Sequence, residues 1–213
     1  MRTIIFSSAE ISDYGYLEKF DFGNSLIICA DAGYNHAKRL GLVPDIILGD
    51  NDSYADTLPE SVEHILYPPE KDKTDTNIAV DYAIDRGADE IILIGGLGGR
   101  IDQEYSHFCL MKYALSRGVR LKMIDDVNEI WMESKPFSLK KSDCRKKYVS
   151  FFPYGGTVEN FSVKGLKYEA DGMTLSPGLV QASSNEFAEC EIAELSFDSG
   201  TVLVMLCDDR KHI

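Results

Sequence analysis

The sequence feature that most constrains the fold is an apolar run followed at once by four glycines in five positions. Residues 90–94 read Glu-Ile-Ile-Leu-Ile, and residues 95–99 read Gly-Gly-Leu-Gly-Gly. The run does not alternate between polar and apolar side chains, which is typical of a strand covered on both faces. A helix is predicted from about residue 102 to residue 117, ended by Gly118. A buried strand, a short loop and a helix indicate an α/β domain built on a parallel sheet.

Strands and helices alternate in the same way throughout the first part of the chain. Strands are predicted at residues 3–6, 26–29, 46–48, 64–67, 90–94 and 120–124, and helices at 34–40, before Gly87, and at 102–117. From residue 129 the pattern changes to short alternating runs, with a hairpin predicted over residues 195–206 that turns at 198–200. We therefore expect an α/β parallel-sheet (Rossmann-like) domain at residues 1–127 and an all-β sandwich domain at residues 128–213.

Composition limits the possible partners and the compartment. The net charge of −13 opposes non-specific binding to nucleic acid or to an anionic membrane surface. The sequence contains no apolar run near the roughly 20 residues that span a bilayer, and it begins with a strand-like run rather than a leader pattern. The cysteine count of five is odd and lacks a Cys-x-x-Cys pair, which predicts buried free thiols. We expect a cytoplasmic protein.

Polar residues follow the predicted strands at several points. Asp31 follows the second strand, Asp50 and Asp52 follow the third, and the glycine loop ending at Arg100 follows the fifth. Asp75 lies at a predicted helix start, which also opens onto the carboxyl edge of such a sheet, where ligands bind. Each residue has a simpler interpretation, because aspartates favour turns and Thr74-Asp75-Thr76 suits a helix cap. Their common position on one edge favours a site.

The residue types at this edge indicate a metal and a phosphate ester. Two aspartates one residue apart repel each other unless a cation such as magnesium lies between them. Glycines before a helix start expose N–H groups that suit phosphate oxygens, and Arg100 can donate two hydrogen bonds to a phosphate. The loop is neither a Walker loop nor a dinucleotide fingerprint, because Ile101 stands where a glycine would be needed. These residues indicate nucleotide-dependent phosphoryl transfer without naming the acceptor.

Four segments, in order and spacing, resemble the thiamine pyrophosphokinase family. They are residues 30–35 (Ala-Asp-Ala-Gly-Tyr-Asn), 44–53 (Pro-Asp-Ile-Ile-Leu-Gly-Asp-Asn-Asp-Ser), 72–75 (Asp-Lys-Thr-Asp) and 95–103 (Gly-Gly-Leu-Gly-Gly-Arg-Ile-Asp-Gln). Residues 163–168 and 183–186 resemble segments of the family's β domain. The resemblance implies a homodimer that transfers the β,γ-diphosphate of ATP to the hydroxyl of thiamine, with thiamine bound in a cleft where subunits meet.

The resemblance also implies roles for individual residues. Magnesium would be held by Asp50, Asp52 and Asp75, and the catalytic residues would be Asp75, Arg100 and Asp102. The triphosphate of ATP would be positioned by Asp31, Asn35, Thr74, Gly96, Gly98, Gly99 and Arg100. Thiamine would contact Lys71, Asp102, Ser184 and Asn185. Either Asp102 or Asp75 would be the group that removes the hydroxyl proton.

Three positions depart from the family pattern. Ala32 replaces a glycine, Asn51 stands where an aromatic residue usually separates the paired aspartates, and His107 stands where asparagine is common. Two other functions remain open on the sequence. A metal-dependent nucleotide-sugar transferase would use Asp50 and Asp52 but would leave the glycine loop without a purpose. A non-catalytic thiamine- or nucleotide-binding protein would have no need of the metal-binding aspartates.

Overall fold

The computed structural model describes residues 1–49, 62–67 and 72–210. The chain divides into two compact units, Met1–Asp126 and Val127–Ile213. Each unit has its own buried apolar cluster. The predictions made for Asp50, Asn51, Asp52 and Lys71 lie outside the described residues.

The first unit is a parallel sheet with helices. Its strands are β1 (Arg2–Phe6), β2 (Leu26–Ala30), β3 (Ile46–Gly49), β4 (Glu63–Leu66), β5 (Glu90–Ile94) and β6 (Arg120–Ile124). Its helices are α1 (Tyr34–Arg39), α2 (Asp75–Asp85) and α3 (Ile101–Ser116), with short 3-10 helices at Gly15–Leu17 and Asp31–Gly33. The strands lie in the order β6-β5-β1-β2-β3-β4, and every pairing is parallel. The predicted parallel sheet is confirmed.

Both faces of this sheet are buried. Ile4 and Phe6 pack in one cluster with Tyr34 and Ala37 of α1. Ile5, which points to the opposite face because strand side chains alternate, is also fully buried. The helix α2 lies against β1, β2 and β3 and packs against α3. Burial on both faces explains why these strands are continuous apolar runs.

The order of the strands reverses at β1. The chain leaves β1 for β2 on one side and later returns to place β5 on the other side of β1. The connections after β1 and β5 therefore lead to opposite sides of the sheet order, and a gap is left between the loops that follow these two strands. Such a point at the carboxyl ends of parallel strands forms a crevice in open α/β sheets.

The second unit consists of two antiparallel layers. Its strands are β7 (Asn128–Glu133), β8 (Phe137–Lys140), β9 (Tyr148–Pro153), β10 (Val158–Lys164), β11 (Ala170–Leu175), β12 (Ala182–Asn185), β13 (Ile192–Ser196) and β14 (Val202–Cys207). One layer has the order β12-β9-β14-β7 and the other β11-β10-β13-β8. Phe151 of the first layer and Phe161 of the second lie 5.4 Å apart between ring centroids in a shared core. This arrangement is the expected sandwich. Trp131, the only tryptophan, packs in the same core.

The predicted hairpin over residues 195–206 is wrong. The strand β13 pairs with β10 and β8, whereas β14 pairs with β7 and β9. The turn residues therefore carry the chain from one layer to the other. Leu195 and Val204 are both buried in the core, so an inward-facing side chain on each strand is compatible either with a hairpin or with two facing layers. Periodicity alone does not separate these arrangements.

The five cysteines are free, as expected, but most of them are not buried. Cys29 is buried in β2, Cys144 and Cys207 are half-buried, and Cys109 and Cys190 are exposed. The expectation of burial holds for Cys29 alone, and it fails most clearly for Cys190, which stands between two glutamates rather than in an apolar run. Among the described residues, no helix is both long and apolar enough to cross a membrane.

Candidate active site

A cavity of about 640 Å³ lies in the first unit at the crevice between the ends of β1 and β5. Three chain segments and the start of α3 surround it. The residues that line it come from the end of β1 (Ser7, Ser8, Ala9, Glu10), from the 3-10 helix after β2 (Asp31), from the start of α2 (Asp72, Lys73, Thr74, Asp75, Thr76), and from the glycine loop and α3 (Gly96, Gly99, Arg100, Gln103, Glu104, His107). Five of the residues predicted to position ATP (Asp31, Thr74, Gly96, Gly99 and Arg100) thus meet at one cavity with Asp75, which was predicted as a catalytic residue and magnesium ligand.

The segment after β1 was missed in the sequence. The backbone N–H groups of Ser7 and Ala9 donate to the carbonyl oxygens of Ile94 and Gly95 at 2.8 and 3.0 Å. The Ser7 hydroxyl is 2.8 Å from the hydroxyl of Thr76 in α2, and both residues are buried. These bonds hold one wall of the cavity against the neighbouring strand and helix. Ser7 and Ser8 follow a strand end as the predicted residues do, and this signal could have identified them.

Asp31 has an unusual backbone and an unsatisfied oxygen. Its φ is 52°, in the left-handed region that aspartate adopts more readily than most residues. Its Oδ1 is buried and has no hydrogen-bond partner among the described residues. A buried carboxylate oxygen without a donor is costly unless a ligand satisfies it. Backbone strain and an unmet acceptor at one residue beside a cavity are typical of a binding position.

The backbone at residues 31–33 explains why alanine can replace the family's glycine at position 32. The left-handed residue is Asp31 rather than Ala32, so the alanine side chain causes no strain at a position where the family has glycine. Gly33 is different, because a Cβ there would overlap the carbonyl oxygen of Phe6. The turn after β2 therefore requires the second glycine of the pattern and tolerates the loss of the first.

The start of α2 contributes the next group. Thr74 caps the helix, since its hydroxyl accepts a hydrogen bond from the N–H of Asn77 at 3.2 Å. Asp75 is the first helical residue and lies half-buried at the positive end of the helix dipole. The capping alternative is thus correct for Thr74. Both residues also line the cavity, so capping and a place in the site are not exclusive.

The glycine loop is shaped by hydrogen bonds to α3. The backbone N–H of Gly98 donates to Oε1 of Glu104 at 2.9 Å. The carbonyl oxygen of Gly96 lies 2.8 Å from Nδ1 of His107, which is buried. Gly95 has a φ of 71°, and a Cβ there would lie 2.5 Å from the carbonyl oxygen of Ser7. Gly98 does not line the cavity, and its N–H is already used by a carboxylate.

His107 is held as a neutral ring. Burial lowers the pKa of His107 below its usual value, although the hydrogen bond to the Gly96 carbonyl and the charge of Glu104 oppose this effect. A neutral imidazole that donates from Nδ1 to this carbonyl satisfies both groups. The amide N–H of an asparagine can make the same bond, which explains how histidine replaces it in the family pattern.

Arg100 and Asp102 form an exposed ion pair at the start of α3. The guanidinium donates from Nε to Oδ1 at 3.1 Å and from Nη2 to Oδ2 at 2.6 Å. The hydrogen bond and charge of Arg100 lower the pKa of Asp102, and those of Asp102 raise the pKa of Arg100. Arg100 lines the cavity and Asp102 does not. Asp102 is therefore held in its ionised form, and the Arg100 guanidinium keeps N–H groups that this ion pair does not use.

Of the remaining predicted positions, one is described away from the cavity lining and three are not described. Asn35 is exposed on α1 and does not line it. Asp50, Asp52 and Lys71 lie outside the described residues. Within residues 1–49, 62–67 and 72–210, no group of three or more His, Cys, Asp or Glu could hold a metal ion. The predicted magnesium site therefore remains a prediction.

The donor chemistry present fits a hard cation as far as it is described. Asp31 and Asp75 present carboxylate oxygens to the cavity, and Oδ1 of Asp31 is buried without a donor. Oxygen ligands of this kind are the ones that magnesium prefers.

In the second unit, Ser184 and Asn185 lie at an irregular point of β12. The pairing with β9 shifts register between Ala182 and Asn185, and Ser184 has a φ of 57°. This conformation leaves Ser184 exposed while its N–H donates to the Ser150 hydroxyl at 2.9 Å. Irregularities of this kind often aim a side chain at a ligand.

Asn185 is buried, and its side-chain amide is hydrogen-bonded to groups within the protein. Its Nδ2 donates to the carbonyl oxygen of Tyr168 at 2.7 Å, and its Oδ1 accepts from the N–H groups of Tyr168 and Glu186 at 3.0 and 2.9 Å. The side chain therefore fixes the 166–168 loop to β12. This is a positioning role next to Ser184.

The two units together define a class of protein. The first is a parallel α/β unit with a polar cavity at its switch point, and the second is a β sandwich. A cavity at the switch point of a parallel sheet is the usual ligand site of α/β domains, so the class defined here is an α/β ligand-binding domain followed by a β sandwich.

Comparison with known proteins identifies the family. Residues 18–123 match the family described as thiamin pyrophosphokinase, catalytic domain, and residues 137–202 match thiamin pyrophosphokinase, vitamin B1 binding domain. The chain belongs to the thiamin pyrophosphokinase family.

Named relatives agree with this assignment. The chain is 27% identical over 192 residues to thiamine pyrophosphokinase of Bacillus subtilis, covering 87% of this chain and 89% of that protein. The crystal structure of thiamine pyrophosphokinase from Bacillus subtilis matches with a TM-score of 0.88 and 24% identity, over 98% of this chain and all of that one. The thiamin pyrophosphokinase structure from Geobacillus thermodenitrificans matches with a TM-score of 0.84 and 25% identity, over 100% of both chains.

Proposed function

We propose that this protein transfers the β,γ-diphosphate of ATP to the hydroxyl of thiamine, giving thiamine diphosphate and AMP. The observation that carries the proposal is the cavity between β1 and β5, which brings Asp31, Asp75 and Arg100 together in a chain of this family. In this Rossmann-like arrangement, the triphosphate lies at the switch point of the sheet. Neither the nucleotide-sugar transferase nor the non-catalytic binder has support in the family matches.

Arg100 and Asp102 act together in the proposed mechanism. When the Arg100 guanidinium turns from Asp102 to phosphate oxygens, it stabilises the charge of the transferred group through two hydrogen bonds. Arg100 is also the main cause of the lowered pKa of Asp102. Losing that neighbour raises the basicity of Asp102 at the moment the phosphates are bound. Asp102 is then better suited to accept the proton of the thiamine hydroxyl at one carboxylate oxygen.

Asp50, Asp52 and Asp75 are the proposed holders of magnesium, and Asp31 is proposed to help position the triphosphate. A magnesium ion held by these residues would supply positive charge against the triphosphate and so would make AMP a better leaving group. Thr74, Gly96 and Gly99, which line the cavity, are proposed to orient the triphosphate. For Asn35 and Gly98, which are not in the described lining, a triphosphate contact stays a prediction, and for Gly98 it would require its N–H to leave Glu104. For Thr74 the contact would leave its capping hydrogen bond intact, because a hydroxyl both donates and accepts.

Thiamine is proposed to contact Ser184, Asn185, Lys71 and Asp102 in a homodimer, with the thiamine site at the subunit interface. The exposed Ser184 hydroxyl, held by a left-handed backbone, supports this role for the β sandwich. Asn185 acts chiefly by fixing the loop beside it. A cytoplasmic location remains part of the proposal. The five cysteines, none of which forms a disulfide, are compatible with such a reducing compartment.

The test is an assay with ATP, magnesium and thiamine that measures AMP and thiamine diphosphate together. The wild type is expected to release one AMP for each thiamine diphosphate formed. Asp75→Asn is expected to lower kcat by about a hundredfold, as loss of electrostatic stabilisation in an active site commonly does. Asp85→Asn on the same helix is the matched control, because Asp85 is outside the described cavity lining and forms an ion pair with Arg117 at 4.0 Å. AMP release that does not depend on thiamine would contradict the proposed acceptor.

A further inference from the structure

Lys73 is a cavity residue to which the proposed mechanism gives no role. It precedes the Thr74 cap of α2 and lines the cavity beside Asp75. Its Nζ donates to Oδ2 of Asp81 at 2.7 Å, and the lysine side chain is 57% exposed. An ammonium has three donors. One is used by Asp81, which leaves two for a ligand.

The partner of Lys73 is itself held firmly. Asp81 lies two turns further along α2 and is only 21% exposed. Its Oδ1 accepts from the hydroxyl of Tyr113 on α3 at 2.7 Å, and its Oδ2 also accepts from Nδ2 of Asn77 at 3.4 Å. Arg117 in turn donates to the Tyr113 hydroxyl at 2.9 Å. Asp81 is thus a fixed anchor between two helices.

The charge balance of the cavity gives Lys73 its importance. The described lining contains five carboxylates, on Glu10, Asp31, Asp72, Asp75 and Glu104, and two fully charged basic side chains, Lys73 and Arg100. Arg100 is paired with an exposed aspartate two residues away. A polyphosphate entering an acidic cavity needs cations that are already in place. Lys73 belongs to the described lining, and its ammonium is already held before a ligand arrives, by the half-buried Asp81 further along α2, which is not part of that lining.

We propose that Lys73 is a second phosphate-binding cation of the site, and that Asp81 and Tyr113 are positioning residues that hold its ammonium on α2, next to the start of the helix that lines the cavity. The inference rests on the proposed function, since the polyphosphate is that of the nucleotide. Lys73 keeps its bond to Asp81 and donates its two other N–H groups to phosphate oxygens. A lysine acts there as a compact charge and complements the planar, two-bond contact of Arg100.

Calorimetric titration of the full chain with ATP and magnesium, and with adenosine, tests the role of Lys73. Lys73→Met is expected to weaken ATP binding by about ten- to a hundredfold, the value of one or two charge-assisted hydrogen bonds, and to leave adenosine binding unchanged. Lys19→Met is the matched control, because it makes the same change of charge at an exposed lysine outside the cavity. ATP binding by Lys73→Met within twofold of wild type would overturn the proposal, as would an equal loss in Lys19→Met.

Steady-state kinetics test the positioning residues. Asp81→Ala and Tyr113→Phe are expected to raise KM for ATP by about three- to tenfold without changing KM for thiamine, whereas Glu18→Ala, at an exposed carboxylate outside the cavity lining, leaves both unchanged. Equal rises in both KM values would indicate general loosening of the helices and would overturn the positioning role. A wild type without thiamine-dependent AMP release removes the proposed reaction, while the ATP and adenosine titrations still decide the role of Lys73. A wild type that does not bind ATP overturns both.

Discussion

His107 offers a sharp test of how the glycine loop is held. Its Nδ1 lies 2.8 Å from the carbonyl oxygen of Gly96, and both residues are buried. His107→Leu fills similar space but removes the donor, which leaves a buried carbonyl unpaired at a cost of about 1–3 kcal/mol. His107→Asn retains a donor and loses only volume, at a cost of about 1 kcal/mol for a void of methyl size. We expect the leucine variant to be the less stable, and to raise KM for ATP more.

The same residue predicts a dependence on pH. Because burial lowers the pKa of His107 in the folded protein, the unfolded chain takes up a proton near the usual value of 6.5 while the folded chain resists it. Stability is therefore complete above pH 6.5 and falls as the pH drops below that value. His36, whose pKa is also lowered by burial, contributes in the same direction. His107→Asn removes one of these two contributions and makes the decline shallower.

Urea denaturation at pH 7.5 and pH 5.5, with tyrosine fluorescence and circular dichroism as separate probes, measures both effects. Two probes are needed because the two units can unfold separately. Equal free energies of unfolding for the leucine and asparagine variants at pH 7.5 would refute the hydrogen-bond argument. An undiminished decline in His107→Asn between the two pH values would refute the assignment of that decline to His107.

Three further changes test other parts of the structure. Gly33→Ala forces a Cβ into the carbonyl of Phe6 and should cost about 3 kcal/mol or more in urea denaturation; a loss below about 1 kcal/mol would contradict the close contact. Asn185→Ala leaves both backbone groups of Tyr168 unpaired and should cost about 2–4 kcal/mol, with a raised KM for thiamine and an unchanged KM for ATP. Tyr14→Phe removes the hydroxyl that is hydrogen-bonded to Nδ1 of His36 and should lower the free energy of unfolding by about 1–2 kcal/mol. An unchanged free energy of unfolding would contradict a contribution of that hydrogen bond to stability.

Much of the first unit could be predicted because local and global signals agree there. The unbroken apolar run at β5 already required cover on both faces, and the glycines after it marked a loop before a helix. The boundaries of β5 and β6 are as expected. In the second unit the inward-facing residues were identified, but the pairing was not. Leu195 and Val204 face one core from opposite layers, and a hairpin would have shown the same alternation.

The candidate site could be predicted in part for a similar reason. Asp31, Asp75 and Arg100 carry a signal in the sequence because each follows a strand or begins a helix. Lys73 and Asp81 carry none, since their relation depends on a lysine folding back along α2 and on a tyrosine from α3 reaching across to the same carboxylate. Contacts between side chains far apart in sequence have no local pattern.

The sequence by itself determined the alternation of strands and helices, the change to β structure after residue 126, and the residue types that a phosphate site requires. These properties follow from backbone preference and burial, which act over a few neighbouring residues. Only the tertiary structure decided that β5 returns beside β1, and so which loops share a cavity. It also decided that Asp31 is the strained residue, that His107 is neutral, and that Lys73 is held. Each of these three properties depends on which side chains and backbone groups, from distant parts of the chain, surround the residue.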